Sequence, residues 1–146
     1  MDNLIAAVKI VLGTAFTLYL KTHSCHWNVE GAQFPAYHQL FGDIYAEIWA
    51  SIDDIAEQIR QLDAYAPSSL ERFAELSRVK SNNEVLVAAD MLAMLVKDNE
   101  TMIATLTETL HMAEKLDKQG LVNFLAGRIE AHSKFRWQLR ATAKRI

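Results

Sequence analysis

Four side chains in this sequence are of the types that bind transition metals: His26, His38, Asp53 and Glu57. Imidazole nitrogens combined with carboxylate oxygens suit iron, manganese or zinc better than calcium, which is held by oxygen alone. Such a set also suits iron oxidation, because carboxylates stabilise the ferric product and an incomplete ligand shell leaves room for an oxidant. Each residue alone predicts little, so the hypothesis depends on the spacing between them.

The second histidine and both carboxylates lie on one apolar-periodic segment without proline between Pro35 and Pro67. If this segment is one helix, a rise of about 1.5 Å per residue places His38 roughly 22 Å from Asp53. The two side chains are nevertheless only about 60° apart around the helix axis. The histidine and carboxylate ends therefore share a face but cannot meet within one chain. Two antiparallel copies related by a two-fold axis would join them, which predicts a site between subunits.

Ordinary structural roles remain open for the same four residues. His26 also fits a helix-end histidine whose ring bonds to backbone groups, and His38 fits a surface histidine in a first helical turn. The two acids also fit a solvated helix face, with Glu57 supporting a polar neighbour one turn away.

The composition predicts one compact helical domain over residues 1–146. Hydrophobic residues make up 51% and charged residues 23%, with only two prolines and five glycines, which excludes a disordered chain. The apolar start lacks a basic n-region and a cleavage site, so we interpret it as a core helix rather than a signal peptide or membrane span. The single Cys25 excludes an internal disulfide and favours a cytoplasmic location.

Helical periodicity predicts four long helices, at about residues 3–27 and 35–65, from the cap at Ser81 to about residue 118, and from the break at Gly120 to the end. Two capping-box patterns support helix starts: Ser68 with Glu71 opens a short helix, SLERFAEL, and Ser81 with Glu84 opens the third long helix. Gly120 is expected to mark the last break. An all-α four-helix bundle with tight first and last turns and one long crossover is the ferritin-like architecture.

Three runs carry a resemblance that covers essentially the whole chain: HWNVEGAQFPAYHQLF, IDDIAEQI and NFLAGRIEAHSKFRWQLRA. They resemble the Dps family of mini-ferritins, the DNA-binding proteins from starved cells. The resemblance implies a hollow dodecamer that oxidises ferrous iron, with hydrogen peroxide preferred to oxygen, and stores the ferric mineral inside. It also implies that each site takes His26 and His38 from one subunit and Asp53 and Glu57 from its partner.

Two further positions are interpreted through the same resemblance. Trp27 follows the first histidine, where such a ring can intercept oxidising radicals or serve in ordinary interface packing. Gly42 stands where the family commonly has an Asp, and Asp43 points about 100° away from that direction. The second iron position is therefore expected to be weak, and Gly42→Asp is expected to strengthen it.

The remaining candidate residues receive mostly structural interpretations. His111, in an E-x-x-H pair with Glu108, and His132 are expected to be structural, because intra-bundle di-iron sites need two such pairs. His23 is expected at a polar surface position, Cys25 as a small buried thiol, and Trp49 and Trp137 in the core or an interface. Asp43, Glu47 and Asp54 form an acidic face that either nucleates mineral or is solvated. By the same resemblance, Glu130 is expected to line a three-fold iron entry pore. Asn123 stands where many relatives have an acid, so a less negative pore is expected.

DNA compaction with secondary iron chemistry is the alternative function. The net charge is −3, so twelve copies would carry about −36, which repels phosphate. The first ten residues hold one Lys and one Asp rather than a Lys-rich tail. The basic stripe Arg136, Arg140 and Lys144 is explained by its place near a helix C-terminus. Weak or absent DNA binding is therefore expected.

Overall fold

The computed structural model describes residues 1–144 and contains five α-helices, with no strand among those residues. The helices are α1 (Asp2–Asn28), α2 (Phe34–Gln61), α3 (Leu70–Leu76), α4 (Ala88–Lys115) and α5 (Gln119–Ala143). The four long helices form the expected bundle. Residues 29–33 and 116–118 make the two tight turns, and the crossover from α2 to α4 carries the short α3.

The first helix is the centre of the fold, because it contacts α2, α3 and α4. By length and composition, α1 is also the one helix in the described part of the chain that would be able to cross a membrane. In the fold, 56% of its most apolar window is buried. Its apolar side chains therefore have a partner in the bundle, as expected for a core helix.

The buried stripe of α2 confirms the expected periodicity, but the helix ends earlier than residue 65. Ile44, Ile48, Ile55 and Ile59 are fully buried. The helix stops at Gln61 because Asp63 takes a positive φ of 61°, the left-handed conformation that commonly ends a helix. The helix thus ends four residues before the predicted end at Tyr65.

Of the two capping patterns, one is displaced and the other is wrong. The short helix begins after Ser69 rather than Ser68, and the Ser69 hydroxyl accepts a hydrogen bond from the Arg72 N–H at 3.2 Å. The predicted start at Ser81 does not exist, since α4 begins at Ala88 without a side-chain cap. Asn82 instead closes a turn on Glu84, accepting from its N–H at 3.1 Å and donating to its carbonyl at 2.9 Å.

The turn between α4 and α5 also differs from the expectation. Helix α4 ends at Lys115, and Asp117 takes the left-handed conformation with φ 53°. Gly120 lies in the first turn of α5 rather than at the break. The residue that reverses the chain is therefore an aspartate, a type that tolerates this conformation better than most.

A largely buried polar network links α2, α4 and α5 inside the bundle. Arg128 donates to the two carboxylate oxygens of Glu47 from its two terminal nitrogens, Nη1 and Nη2. Its Nη2 also donates to His132 Nε2 at 3.2 Å. On the other side of the ring, His132 Nδ1–H donates to the Oδ1 of Asn99 at 2.8 Å. Burial first, and then Arg128, lowers the pKa of His132 to about 3. His132 is thus structural, and Glu47 is bound to an arginine rather than free on an acidic face.

The other structural interpretations are confirmed in part. His111 pairs with Glu114 at 3.0 Å, and Glu108 pairs with Arg78 at 2.6 Å, so Glu108 and His111 each have a different partner. Cys25 is buried, which raises the pKa of its thiol to about 12.

Candidate metal centre

The two histidines are held together by reciprocal hydrogen bonds between the end of α1 and the start of α2. His26 Nδ1 lies 2.6 Å from the carbonyl oxygen of His38, and His38 Nδ1 lies 2.7 Å from the carbonyl oxygen of His26. The rings stack with centroids 3.7 Å apart and planes 16° apart. Each ring is therefore positioned by the backbone that carries the other.

This arrangement fixes the chemistry of both rings. A carbonyl oxygen only accepts hydrogen bonds, so each Nδ1 must carry the hydrogen. In the neutral imidazole the remaining nitrogen, Nε2, then has a free lone pair. Metal-binding histidines are commonly oriented in this way, with the second nitrogen donating to a carbonyl or carboxylate. The pair thus offers two nitrogen ligands with their tautomers set in advance.

The local sequence explains how the two helices approach so closely. Val29 is buried and extended, and Gly31 has a φ of 118°, a conformation suited to glycine. Pro35 occupies the first turn of α2, where its missing N–H costs nothing. A Cβ at Gly42 would lie 3.0 Å from His26 Nδ1 and 3.1 Å from its Cε1. Gly42 therefore leaves the space that the His26 ring occupies.

The carboxylate half lies near the other end of α2. Ligand oxygens of Asp53, Asp54 and Glu57 all lie within 4.8 Å of one another, and all three residues are exposed. The group includes neither His26 nor His38. Because α2 is continuous from Phe34 to Gln61, the helix rise keeps the two halves roughly 22 Å apart, as the sequence predicted.

Asp54 was not among the predicted ligands and was assigned to a different face with Asp43 and Glu47. The structure places its carboxylate beside Asp53 and Glu57 instead. The spacing of three residues between Asp54 and Glu57 was a signal for this contact, since residues three apart are neighbours on a helix. Asp43, which was assigned to the same face as Asp54, instead accepts a hydrogen bond from the Gln39 side-chain amide at 2.8 Å.

The predicted radical-intercepting residue, Trp27, lies beside the site but contacts a different histidine. Its ring is 3.9 Å from that of His23, centroid to centroid. His23 is not at a polar surface position, because it is half-buried and stacks on Tyr45 at 3.7 Å. The spacing of four residues from Tyr19 to His23 to Trp27 is the sequence signal for this aromatic cluster.

All three tryptophans are more than half exposed in the single chain. The exposed fractions are 58% for Trp27, 55% for Trp49 and 64% for Trp137. None belongs to the core, so of the two predicted locations for Trp49 and Trp137 the core is wrong. Large exposed apolar rings commonly mark surfaces that bind other proteins.

Comparisons with known proteins show which family the chain belongs to. The ferritin-like domain family matches residues 5–146. The low temperature-induced protein all0458 of Nostoc is 36% identical over 132 residues, covering 89% of this chain and 74% of that protein. DNA protection during starvation protein 2 of Bacillus anthracis is 30% identical over 124 residues, covering 85% of each chain.

Two solved structures show the same fold. Dps from Thermosynechococcus elongatus superposes with a TM-score of 0.96 at 21% identity, covering 99% of this chain and 92% of that one. Antigen TpF1 from Treponema pallidum superposes with a TM-score of 0.94 at 25% identity, covering 99% and 93%.

Proposed function

Because the chain belongs to the Dps family of ferritin-like proteins, we propose that it is a mini-ferritin that oxidises ferrous iron. In this proposal the oxidant is hydrogen peroxide or, less readily, oxygen, and the ferric product is stored inside a closed cage of about twelve subunits. The free thiol of Cys25 supports a reducing cytoplasm as its location.

The observation that carries the proposal is the orientation of the histidine pair. Both rings donate Nδ1–H to a backbone carbonyl, so both Nε2 atoms remain available for a metal. A histidine that only bonded a backbone carbonyl would not need a second histidine stacked against it. Here the second ring is stacked, and it also bonds a carbonyl through its own Nδ1.

The acidic half supplies what the histidines lack. Asp53 and Glu57 add anionic oxygens, which stabilise the ferric ion more than the ferrous ion and so favour oxidation. These oxygens lie too far along α2 to reach the histidines of the same chain. We propose that the carboxylates of one subunit meet the histidines of its two-fold partner.

The exposed rings support burial of this face against another copy. Trp27 on α1 flanks the histidine half, while Trp49 on α2 lies between the two halves in sequence. Two-fold contacts bring the same patch of both subunits together, so each such interface would contain two complete sites.

A mixed-cage experiment tests the shared site. His38→Asn keeps a donor at the position of Nδ1 but removes the nitrogen that would bind iron, and Glu57→Gln keeps the shape but removes the charge. Each variant alone should lose ferroxidase activity. If the two assort randomly, half the interfaces are mixed and one of the two sites in each is complete, so about a quarter of the activity should return.

The two variants are co-expressed with different affinity tags and purified through both tags. Cages that carry both tags on His38→Asn subunits are the control and should stay inactive. Glu114→Gln, an exposed acid on α4, is the matched carboxylate control and should keep full activity. Verified mixed cages without recovered activity would contradict a site shared between subunits.

A further inference from the structure

A chain of aromatic rings leads away from the histidine pair. The Tyr45 ring meets His26 edge-on with centroids 5.2 Å apart and stacks on His23 at 3.7 Å. Tyr19 lies 6.2 Å from Tyr45 and 4.9 Å from the exposed Trp49. The rings alternate between α1 and α2 and form a continuous aromatic path from a proposed iron ligand to the surface of the subunit.

One tyrosine in this path has a base in hydrogen-bonding contact. The Tyr19 hydroxyl lies 2.9 Å from His23 Nδ1. Burial, and then Tyr45, raises the pKa of Tyr19, so the phenol is protonated at neutral pH. When the phenol donates this hydrogen bond, His23 Nδ1 is the acceptor, so the proton of Tyr19 already points at the nitrogen that would receive it.

Tyr45 lacks this feature although it is nearer to the histidine pair. Within residues 1–144, its hydroxyl makes no hydrogen bond to another protein group. A phenol that loses an electron becomes strongly acidic, so a nearby base stabilises the oxidised state by taking the proton. The tyrosine that has such a base is Tyr19.

We propose that Tyr19 is a redox-active residue that gives one electron to the oxidant formed at the iron site, while His23 takes its proton. This inference rests on the proposed iron oxidation. It assigns to Tyr19 and His23 the interception of radicals that the resemblance gave to Trp27, whose ring instead supports His23.

The steps balance when peroxide meets a single ferrous ion. The ferrous ion gives one electron to hydrogen peroxide, which cleaves the O–O bond and yields a ferric ion, a hydroxide ion and a hydroxyl radical. Tyr19 reduces the hydroxyl radical to hydroxide, and its phenolic proton moves to His23 Nδ1. A second ferrous ion then reduces the tyrosyl radical, which recovers the proton from His23. Two ferrous ions and one peroxide thus become two ferric ions and two hydroxides.

The glycine at position 42, where the family commonly has an Asp, explains why such a relay would be needed. Peroxide needs two electrons, whereas a site without the usual acid at position 42 is expected to hold one iron firmly. A tyrosine that supplies the second electron would prevent release of hydroxyl radical until another ferrous ion arrives.

Electron paramagnetic resonance on freeze-quenched samples tests the proposal. Intact cages are loaded anaerobically with one ferrous ion per site and mixed with excess peroxide. We expect a tyrosyl signal whose hyperfine pattern changes when the protein carries ring-deuterated tyrosine. Tyr19→Phe should abolish the signal, while Tyr65→Phe, whose exposed ring packs on Arg60, should leave it unchanged.

A second variant tests the role of the base. His23→Asn keeps an oxygen at the position of Nδ1 that can accept the tyrosine hydrogen bond, but an amide does not hold the proton. It should reduce the yield of the radical several-fold. A signal that persists in Tyr19→Phe, or one without a deuterium effect, would overturn the assignment to Tyr19.

A spin trap separates this inference from the proposed function. For each ferrous ion oxidised, Tyr19→Phe should release more trapped hydroxyl radical than the unmodified protein. Equal trapping by the two proteins would overturn the relay alone. Unmodified cages that oxidise iron no faster than buffer would instead overturn the proposed ferroxidase.

Discussion

The imidazole of His26 occupies the space that a side chain at Gly42 would need. A Cβ at that position would lie 3.0 Å from Nδ1, the atom that donates to the carbonyl of His38. Real Cβ atoms are rarely so close to a neighbouring ring, so a larger residue here requires the His26 ring to shift by a few tenths of an ångström. Gly42 therefore has two effects: the chain lacks the acid that the family commonly has there, and the His26 ring keeps the space for its present orientation.

Gly42→Ala should have opposite effects on stability and on metal binding. Alanine favours a helix interior by about 1 kcal/mol, less the cost of shifting His26. The shifted ring has a distorted orienting hydrogen bond, and since complete loss of such a partner commonly weakens metal affinity by about 10–100-fold, we expect a loss of up to that size. Chemical denaturation and anaerobic iron titration measure the two effects. Unchanged iron affinity would show that His26 does not need this space.

The sequence predicts that Gly42→Asp strengthens the second iron position, but the structure shows two opposing effects of this substitution. The new carboxylate adds a ligand for the second iron, but its Cβ crowds His26. In the unmodified protein we expect one well-occupied iron per site and a weak second position. Anomalous scattering from iron-soaked crystals of both proteins measures the occupancies. Two equally full positions in the unmodified protein would implicate another acid, with Asp54 the first candidate because it lies beside Asp53.

The oligomer should be closed and large, because the two half-sites cannot converge within one chain. Twelve subunits of 16.5 kDa give about 198 kDa (12 × 16.5). Light scattering coupled to size-exclusion chromatography measures this mass at micromolar concentration. A monomer under those conditions would exclude both the cage and the shared site.

DNA binding should be weak near physiological ionic strength of about 0.15 M. The acidic net charge opposes it, and within the basic stripe Arg140 already lies 3.8 Å from Glu100. A gel shift with duplex DNA at this ionic strength measures the affinity. A tight complex that is lost in Arg136→Ala would instead favour DNA compaction as the function.

The buried His132 should make stability depend on pH. Its pKa is about 3 in the folded protein and near 6.5 in the unfolded chain, so between these values the unfolded state binds the extra proton. The contribution to stability is complete above about pH 6.5 and falls below it, by at most about 1.4 kcal/mol per pH unit.

Unfolding midpoints measured at about pH 7.5 and about pH 5 test this dependence. His132→Asn keeps a donor toward Asn99 and should weaken the pH dependence, whatever its own cost in stability. The exposed His111→Asn is the matched control and should retain it. Equal pH dependence in the two variants would mean that another group controls acid unfolding.

The sequence predicted the bundle well because its signals were long and periodic. The stripe of α2 and the separation of His38 from Asp53 follow directly from helix geometry. Helix ends were less accurate, because the choice of Ser69 over Ser68, or the left-handed conformation of Asp63, depends on where α3 and the crossover pack.

The site was predicted only in part for a related reason. Residue type and spacing indicated which side chains lie on a common face, but not how they are paired. The exchange of carbonyl bonds between His26 and His38 depends on the angle between two helices, and so does the fit at Gly42. Glu47 looked like a surface acid because its partner, Arg128, lies 81 residues away in the chain.

The continuity of α2 has a consequence for the cell that makes this protein. A newly synthesised or dissociated subunit carries both halves of the proposed site, yet its own rigid helix keeps them apart. Such a subunit would be unable to start peroxide chemistry outside a shell that retains the product. Redox activity would then appear only as assembly proceeds, and its onset would follow the subunit concentration more steeply than in direct proportion.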